Sequence, residues 1–399
     1  MKRKVRPFYI PPSLVTRQVA SILAFRLATR WKGLPFWTNN LPKLFRVAAG
    51  AVGIGCFGFP IHPVYEVTPR CNLRCKHCHV RADENVYGEL NTADAKRVIK
   101  SLAEVPEFRM LVFTGGEPLV RGDIYDLLLY AKGLGFSTVI ATNGTLIDKE
   151  AARSLKESGT MGIAASVDCV DPQKHDSFRG LGGAFEKTIH GIENARQEGL
   201  YIQINITISR YNLHDLEEML LLADRLEAQV VLLYQLVPVG RGEEIENAAL
   251  KPEEFAQVIE QTHRVQEKIR PVVVPVALPE YFAYLSKNEL SPRIASLFFK
   301  GCIAGRGMYY VKSNGDVWPC AFVPIKAGNL LESSALDIWR NGQVFVRLRG
   351  RRNLKKPCGD CLHREVCGGC RGRAYAYAND LFASDPGCPF VEQKSRGRA

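Results

Sequence analysis

Three cysteines stand close together in the segment CNLRCKHC: Cys71, Cys75 and Cys78, separated by three and two residues. Thiolates are ligands for zinc and for iron–sulfur clusters. A structural zinc ion has four ligands, so His77 or His79 would have to complete a zinc site here. A cubane 4Fe-4S cluster has four irons, and three cysteines leave one iron open to another molecule. The spacing favours the cluster, with zinc as the alternative.

A second motif, Gly115-Gly116-Glu117-Pro118, follows an apolar run at residues 110–114. Glycines allow a ligand to approach the backbone closely, and a carboxylate accepts hydrogen bonds from an ammonium group. By itself the motif is weak, because a glycine pair often only makes a turn. In combination with the cysteine loop, it indicates a binding site for a cofactor.

These motifs need elements that bring them together. Six short β-rich runs alternate with amphipathic helical patterns, at residues 64–68, 110–114, 138–142, 162–168, 203–208 and 230–236. Such alternation is typical of βαβ units with a parallel sheet. It predicts an α/β fold, a partial (β/α)6 barrel of the TIM type, with its chemistry at the C-terminal ends of the strands. The cysteine loop directly follows the first strand and is therefore predicted to lie at that rim.

Together, the cysteine loop and the Gly-Gly-Glu motif resemble the radical S-adenosylmethionine (SAM) superfamily. The resemblance implies that the three loop cysteines are the catalytic ligands of a 4Fe-4S cluster, whose open iron is chelated by the amino and carboxylate groups of SAM. It also implies cofactor-binding residues: Gly115, Gly116 and Glu117 at the amino group, Asn143, Ser166 and Asp168 at the third and fourth strand ends, and Arg179 near the SAM carboxylate. His77 is a small departure, since many members carry an aromatic ring there.

The chemistry that this resemblance implies is one-electron cleavage of SAM to methionine and a 5′-deoxyadenosyl radical, which abstracts hydrogen from a C–H bond. The protein supplies orientation and excludes water, while the cofactor supplies the difficult chemistry. A low-potential electron donor of the ferredoxin or flavodoxin type is an expected partner. A non-catalytic iron–sulfur or zinc protein is the alternative class, and it is disfavoured because an electron carrier needs no open iron beside Gly-Gly-Glu.

Seven of the twelve cysteines fall near the C-terminus: Cys302, Cys320, Cys358, Cys361, Cys367, Cys370 and Cys388. This loop-rich portion is predicted to depend on metal centres, because it is too poor in apolar runs for a large core. Alone, its cysteine pairs fit zinc and iron–sulfur sites about equally. After a radical SAM barrel, the module resembles the SPASM domain, which binds two auxiliary 4Fe-4S clusters.

That resemblance implies a ligand set for each auxiliary cluster: Cys358, Cys361, Cys367 and Cys388 for the outer one, and Cys302, Cys320 and Cys370 for the inner one. Seven cysteines cannot fill eight positions, so the inner cluster has either an open iron or a non-cysteine ligand. Two residues, Gly368 and Gly369, separate the last cysteine pair, where the usual pattern has three. Cys56 and Cys169 match no motif and are expected to be small buried residues.

Charge is unevenly distributed along the chain. Residues 1–65 hold ten Lys and Arg and no acidic residue, whereas the remainder carries 43 basic and 41 acidic side chains. The net charge of +12 is therefore no argument for a nucleic-acid partner. Residues 13–32 predict a basic amphipathic helix, with Val15, Val19, Ile22, Leu23 and Leu27 as its apolar positions. This helix either docks on the barrel or contacts an anionic membrane surface.

The predicted organisation has four parts: a basic extension (1–61), the radical SAM barrel (62–240), a helical connector (241–300) and the SPASM-like module (301–399). The apolar run 47–59 is too short and glycine-rich for a membrane span. With no signal-peptide pattern, a cytoplasmic location is expected, with peripheral membrane contact through the N-terminal extension as an added hypothesis.

Two subfamilies fit the remaining phrases, QLVPVGRG (235–242) and CGGCRGRAYAY (367–377). One acts on propionate side chains of iron porphyrins in haem or haem d1 synthesis, and it is the favoured reading. The other modifies small precursor peptides and is the alternative, while a lipid or membrane-located substrate is a lesser one. The basic segment 347–356 either receives an anionic substrate or is a solvated loop.

Overall fold

A computed structural model describes residues 20, 23–33, 62–84, 88–289 and 291–390 of the chain. In this part, one sheet contains ten strands: β1 His62–Glu66, β2 Met110–Thr114, β3 Ser137–Thr142, β4 Thr160–Ser166, β5 Tyr201–Ile208, β6 Val230–Gln235, β7 Val272–Val276, β8 Met308–Val311, β9 Asp316–Trp318 and β10 Gly328–Asn329. Their order across the sheet is β10-β9-β8-β1-β2-β3-β4-β5-β6-β7. Pairing is parallel from β8 through β1 to β7, and antiparallel at β8–β9 and β9–β10.

Helices connect the parallel strands: α1 Thr92–Ala103, α2 Ile124–Gly133, α3 Lys149–Glu157, α4 Pro172–Arg179, α5 Ala184–Gln197, α6 Leu216–Arg225 and α7 Pro252–Gln266. Those that follow β7 and β8 are α8 Glu280–Asn288, α9 Pro292–Phe298, α10 Ala335–Asn341, α11 Gln343–Arg349 and α12 Arg371–Ala378. The sheet is open, with β7 and β10 at its edges. The predicted α/β fold with a partial barrel is confirmed.

The six predicted strands are present as β1 to β6, although β1 begins and ends two residues earlier than expected. The connector differs from the prediction, because β7 lies within it and extends the sheet. Its sequence VVVPV contains Pro275, which cannot donate a ladder hydrogen bond. Since β7 pairs only with β6 at the sheet edge, the proline is tolerated there.

The C-terminal module also joins the barrel more closely than expected. Strand β8 pairs with β1, from His62 opposite Met308 to Tyr65 opposite Val311. The rings of Tyr309, Trp339 and Phe345 belong to the main hydrophobic core. A second, much smaller core lies farther along the module, around Leu354, Leu381 and Phe382. The prediction of a portion with little apolar core therefore applies only to its last part.

The described part of the N-terminal extension is helical at residues 23–29 and packs on the barrel. Phe25, Ala28 and Trp31 are in the main core, and the indole Nε1 of Trp31 donates to the carbonyl of Arg270 at 3.1 Å. Leu23 and Leu27 are 46% and 76% exposed, so these two predicted apolar positions do not dock on the barrel. The other predicted apolar positions, Cys56 and the run 47–59 lie outside the described residues. Among the described helices, none is long and apolar enough to cross a membrane.

Candidate active site

The cysteine loop lies at the rim formed by the C-terminal ends of the strands. The amide of Cys71 donates to the carboxylate of Asp83 at 3.0 Å, and its Sγ accepts from the amide of Leu73 at 3.4 Å. The amide of Cys78 donates to the carbonyl of Cys75 at 3.3 Å. All three cysteines line one cavity of about 400 Å³, which continues into the barrel interior. The structure thus brings the loop and the barrel mouth together, as predicted.

The glycine pair packs directly against this loop. The amide of Gly116 donates to the carbonyl of Thr68 at 2.8 Å. A Cβ on Gly116 would stand 2.2 Å from the carbonyl oxygen of Arg70, and one on Gly115 would stand 2.5 Å from that of Thr68. Such distances exclude any side chain. Both glycines line the cavity, so the same lack of side chains also opens the backbone to a ligand.

Glu117 lies behind the cavity wall rather than on it. Its side chain is fully buried, and it accepts hydrogen bonds from the amide of Asn143 at 2.7 Å, the hydroxyl of Thr142 at 2.8 Å and the amide of Leu119 at 3.1 Å. Burial raises the pKa of Glu117 to about 7, and these hydrogen bonds oppose that rise. The contact of Glu117 with the amino group of SAM stays a prediction. The carboxylate ties the end of β3 to the loop after β2.

Asn143 and Ser166 line the cavity at the ends of β3 and β4. The side-chain amide of Asn143 donates to the side-chain oxygen of Asn72 at 2.8 Å, and its own oxygen accepts from the amide of Thr145 at 2.9 Å. Asn143 therefore connects its strand end to the cysteine loop. Both residues lie where the resemblance needs them, and their contact with SAM stays a prediction.

Asp168 does not reach the cavity. It is fully buried, accepts a hydrogen bond from the amide of Thr207 at 2.7 Å and forms an ion pair with Arg179. Burial alone raises the pKa of Asp168, but the charge of Arg179 outweighs this effect, and the pKa lies below its ordinary value. The place of Asp168 near the cofactor stays a prediction, and in this structure the residue orients Arg179.

Arg179 lines the cavity and is the last residue of α4. The helix is well defined at both ends: Asp171 accepts from the amide of Lys174 at 2.9 Å, and Gly180 ends the helix with a φ of 76°. Nη1 of Arg179 donates to the Sγ of Cys75 at 3.7 Å, while its buried Nε has no hydrogen-bond partner. This arrangement leaves a cationic donor available beside the cysteine loop.

His77 contributes an aromatic face to the cavity. Its ring stacks on that of Phe178, with a centroid distance of 4.3 Å and an angle of 11° between the planes. Burial lowers the pKa of His77 to about 3, although Asp168 opposes the change, so the ring is neutral at ordinary pH. The imidazole therefore fills the position where many members of the superfamily have an aromatic ring.

Sequence reasoning missed Arg241, which holds the cysteine loop from the far side. Its Nε donates to the carbonyl of Cys75 at 3.0 Å, and its Nη1 donates to the carbonyl of Ala82 at 2.8 Å and to Glu84 at 2.9 Å. Its amide also donates to the carbonyl of Cys78 at 2.9 Å. The only sequence signal was the phrase QLVPVGRG after β6, which does not reveal a contact with residues so distant in the chain.

Three of the C-terminal cysteines, Cys302, Cys320 and Cys370, line the same cavity as the cysteine loop. Burial raises the pKa of Cys320 to about 12, and the nearby Cys302 raises it further. The pKa of Cys370 is also raised by burial, with Cys302 again among its charged neighbours. These three residues are the predicted inner set, and the structure places them together at the barrel mouth.

The predicted outer set lies away from the cavity. Burial raises the pKa of Cys388 to about 12, with Cys358 among the charges that act on it, and Cys388 in turn acts on Cys367. Cys361 is the exposed member, and its amide donates to the carbonyl of Cys358, three residues earlier, at 3.4 Å. Cys169 belongs to neither group and is fully buried, as expected.

The side chains fit an iron–sulfur cluster better than a zinc ion. Within the described residues, no three His, Cys, Asp or Glu side chains are placed to hold a single metal ion. A cubane binds each thiolate through a different iron, so its ligands need not converge on one point. Burial raises the pKa of Cys71 to about 12, so a thiolate there needs cationic neighbours such as cluster irons. The unpartnered Nε of Arg179 fits the carboxylate of SAM.

A partial barrel with a three-cysteine loop at its mouth and more cysteines facing the same cavity defines an enzyme built around iron–sulfur chemistry. The chain belongs to the radical SAM superfamily: the family model "Radical SAM superfamily" matches residues 65–223. A second model, the "Iron-sulfur cluster-binding domain" SPASM, matches residues 302–362. The protein is therefore an enzyme with a SAM-binding 4Fe-4S cluster and auxiliary clusters.

Comparison with individual proteins agrees with the assignment to the radical SAM superfamily. The chain is 35% identical over 333 residues to the AdoMet-dependent heme synthase of Methanosarcina barkeri, covering 81% of this chain and 95% of that protein. It is 30% identical over 346 residues to the PqqA peptide cyclase of Bradyrhizobium diazoefficiens, covering 83% and 87%. The fold matches the crystal structure of Streptococcus suis SuiB bound to S-adenosylmethionine, with a TM-score of 0.66, 20% identity and coverage of 86% and 80%.

When bound, the cluster and SAM supply a radical that removes a hydrogen atom from a C–H bond of the substrate. The residues of the chain prepare the place for it. The glycine pair opens the backbone, Arg179 offers a positive charge, and Arg241 fixes the cysteine loop. The apolar cavity excludes water from the reacting atoms.

Proposed function

We propose that this enzyme oxidises propionate side chains of an iron porphyrin by radical SAM chemistry. The observation that carries the proposal is the shared cavity, which is lined by the cysteine loop and also by Cys302, Cys320 and Cys370. A substrate in this cavity lies beside the groups that start the reaction and beside those that accept an electron. The relationship to a heme synthase supports the porphyrin as substrate.

The barrel interior supports a flat apolar substrate. Val112, Leu232 and Val274 line it from three strands, and Gln203 and Asn205 add a polar strip on β5. Burial of an apolar macrocycle against such side chains is favourable, and a few placed polar groups set its orientation. This mostly apolar wall with few polar groups suits the flat macrocycle of a porphyrin.

The ligand sets are part of the same proposal. Cys71, Cys75 and Cys78 hold the SAM-binding cluster, with Gly115, Gly116, Asn143, Ser166 and Arg179 facing SAM. Glu117 and Asp168 complete the cofactor site from behind the cavity wall. The outer and inner auxiliary clusters take the sets predicted from the sequence. We assign the radical SAM barrel to residues 62–240 and the SPASM-like module to 301–399, with the connector between them.

The proposed reaction balances in atoms and electrons. A hydrogen atom leaves the propionate carbon next to the macrocycle, and the side chain then loses carbon dioxide. A vinyl group forms, and one electron is released. Cys302, Cys320 and Cys370 would hold an auxiliary cluster at the cavity, and in its oxidised state that cluster would supply the acceptor for this electron.

The test is anaerobic incubation of the reconstituted enzyme with SAM, a low-potential reductant and iron-coproporphyrin. The expected product has lost carbon dioxide and a pair of hydrogen atoms from a propionate, and 5′-deoxyadenosine appears with it. Cys75→Ala serves as the control, because it removes a proposed ligand of the SAM-binding cluster and should give neither product. Cleavage of SAM with unchanged porphyrin would reject the substrate while keeping the enzyme class.

A peptide maturase is the second candidate. The identity of 30% to a PqqA peptide cyclase over 83% of this chain favours it. The same incubation with candidate precursor peptides separates the two, since a maturase would change the mass of a peptide and leave the porphyrin intact.

Two partners complete the proposal: a low-potential donor of the ferredoxin or flavodoxin type, and an anionic membrane surface. Contact with a membrane surface is supported by Leu23 and Leu27. Both are exposed, beside Arg26 and Arg30, on the outer face of the N-terminal helix. Replacing both leucines by Gln should weaken sedimentation with anionic liposomes, because it removes the apolar contact. Equal sedimentation of the variant and the parent protein would remove the membrane from the proposal.

A further inference from the structure

Three arginines lie next to the auxiliary cysteines: Arg306, Arg351 and Arg371. Nη2 of Arg351 donates to the carbonyl of Cys302 at 2.9 Å, and the amide of Arg371 donates to the Sγ of Cys302 at 3.5 Å. Arg351 interacts electrostatically with Cys302 of the inner set and with Cys367 of the outer set. Arg306 also interacts with Cys302. The positive charge is therefore concentrated where the two sets of cysteines meet.

Two of these charges, on Arg351 and Arg371, are buried, and all three guanidinium groups lack a full set of hydrogen-bond partners. Arg351 is 5% and Arg371 2% exposed. Each of the three guanidinium groups keeps a buried nitrogen without a hydrogen-bond partner: Nη1 of Arg306, Nε of Arg351 and Nη2 of Arg371. Burial, followed by repulsion from Arg306, lowers the pKa of Arg351 to about 10. Since an uncompensated buried charge is costly, an anionic group is required here.

The segment between Cys367 and Cys370 is shaped to admit two of these guanidinium groups. A Cβ on Gly368 would stand 1.7 Å from Nη1 of Arg351, and one on Gly369 would stand 2.6 Å from Nη2 of Arg371. Both glycines also have a positive φ, of 72° and 62°. The two glycines thus leave room for guanidinium groups beside Cys367 and Cys370, one predicted ligand of each auxiliary cluster. The sequence had suggested that the basic segment 347–356 binds an anionic substrate or forms a solvated loop, and neither interpretation predicted this position for Arg351.

We propose that Arg351, assisted by Arg306 and Arg371, is the counter-charge of the auxiliary clusters and raises their reduction potentials. A cluster bound by thiolates is anionic, and it becomes more negative when it accepts an electron. A fixed cation in a low-dielectric interior stabilises the reduced form more than the oxidised form. Arg351 is accordingly a positioning and tuning residue, one that prepares the clusters to accept an electron from the substrate.

The test is a redox titration of the anaerobically reconstituted full chain, with each cluster followed by its electron paramagnetic resonance signal. In Arg351→Gln, the auxiliary potentials should become more negative, while the potential of the cluster whose signal responds to SAM stays unchanged. Arg351→Lys should recover part of the shift, because it restores the charge without the fork of donors. Arg352→Gln is the matched control, as Arg352 is the exposed neighbour.

Unchanged auxiliary potentials in Arg351→Gln at full iron content would overturn the proposal. If that variant loses iron, Arg306→Gln decides, because Arg306 is only partly buried and acts on the same Cys302. It should shift the inner cluster to a more negative potential, and no shift would again reject the idea. No substrate is present in these titrations, so their outcome is separate from that of the porphyrin experiment.

Discussion

The side chains around the cavity divide into those that face it and those that hold others in position. Asp168 is of the second kind, since it pairs with Arg179 from behind the wall. Asp168→Asn should therefore loosen Arg179 and weaken SAM binding about tenfold, with a loss of about 3–5 kcal/mol in unfolding free energy. Calorimetric titration with SAM and urea unfolding measure the two effects. The exposed Asp126→Asn should change neither, and SAM affinity unaltered in Asp168→Asn would contradict the role.

Gln235 is of the first kind, because its side chain faces the cavity and is available to a ligand. It is buried at the end of β6, lines the cavity, and neither its oxygen nor its nitrogen has a hydrogen-bond partner. Gln235→Leu should raise the unfolding free energy of the ligand-free protein by about 1 kcal/mol, because it removes an unsatisfied buried amide. It should also weaken the binding of SAM or iron-coproporphyrin about tenfold, as titrations of each will show.

Gln229→Leu is the matched control for that experiment. Its amide accepts from the backbone of Ile202 at 2.7 Å and donates to the carbonyl of Glu227 at 2.9 Å. This variant should therefore lose stability and keep its affinity for both ligands. If Gln235→Leu binds SAM and porphyrin as the parent protein does, the unpartnered amide has no part in ligand binding.

Between elements, the Gly115-Gly116 turn fits closely against the cysteine loop. Gly116→Ala places a methyl group 2.2 Å from a carbonyl oxygen of that loop, so the loop must move. The expected result is a cost of about 1–3 kcal/mol and a loss of the iron of the SAM-binding cluster, with the auxiliary iron retained. Iron analysis and urea unfolding measure this. Gly122→Ala, where a Cβ has no neighbour within 4 Å, should behave as the parent protein.

The strands and their ends determine which parts of the site could be predicted from the sequence. Strand periodicity located β1 to β6, and loops after strand ends converge at one rim. The prediction extended the fourth strand to Asp168, where alternation would place Ser166 and Asp168 on the same face. The strand ends at Ser166, so alternation no longer governs Asp168, which turns into the interior. Arg241 was unpredictable for another reason, since its contacts join segments far apart in the chain.

For the whole molecule, the decisive feature is that barrel and C-terminal module share one core. Phe108, just before β2, packs against Trp339 and Tyr309 with centroid distances of 5.5 and 5.3 Å. The amide of Ala335 donates to the hydroxyl of Ser101 on α1 at 2.8 Å. These contacts predict that the described barrel and residues 308–345 unfold as one cooperative unit, rather than as two domains connected by a linker.

Trp339→Ala tests this cooperativity. It should cost about 3–5 kcal/mol, because a large buried ring is lost. If the core is shared, hydrogen exchange should lose protection by the same free energy in peptides from β2, from β8 and from α10, since all three open together. Leu336→Ala on the same helix removes a partly exposed side chain and should have a much smaller effect. A loss confined to α10 and α11, with β2 still protected, would instead mean that the module and the barrel are separate folding units.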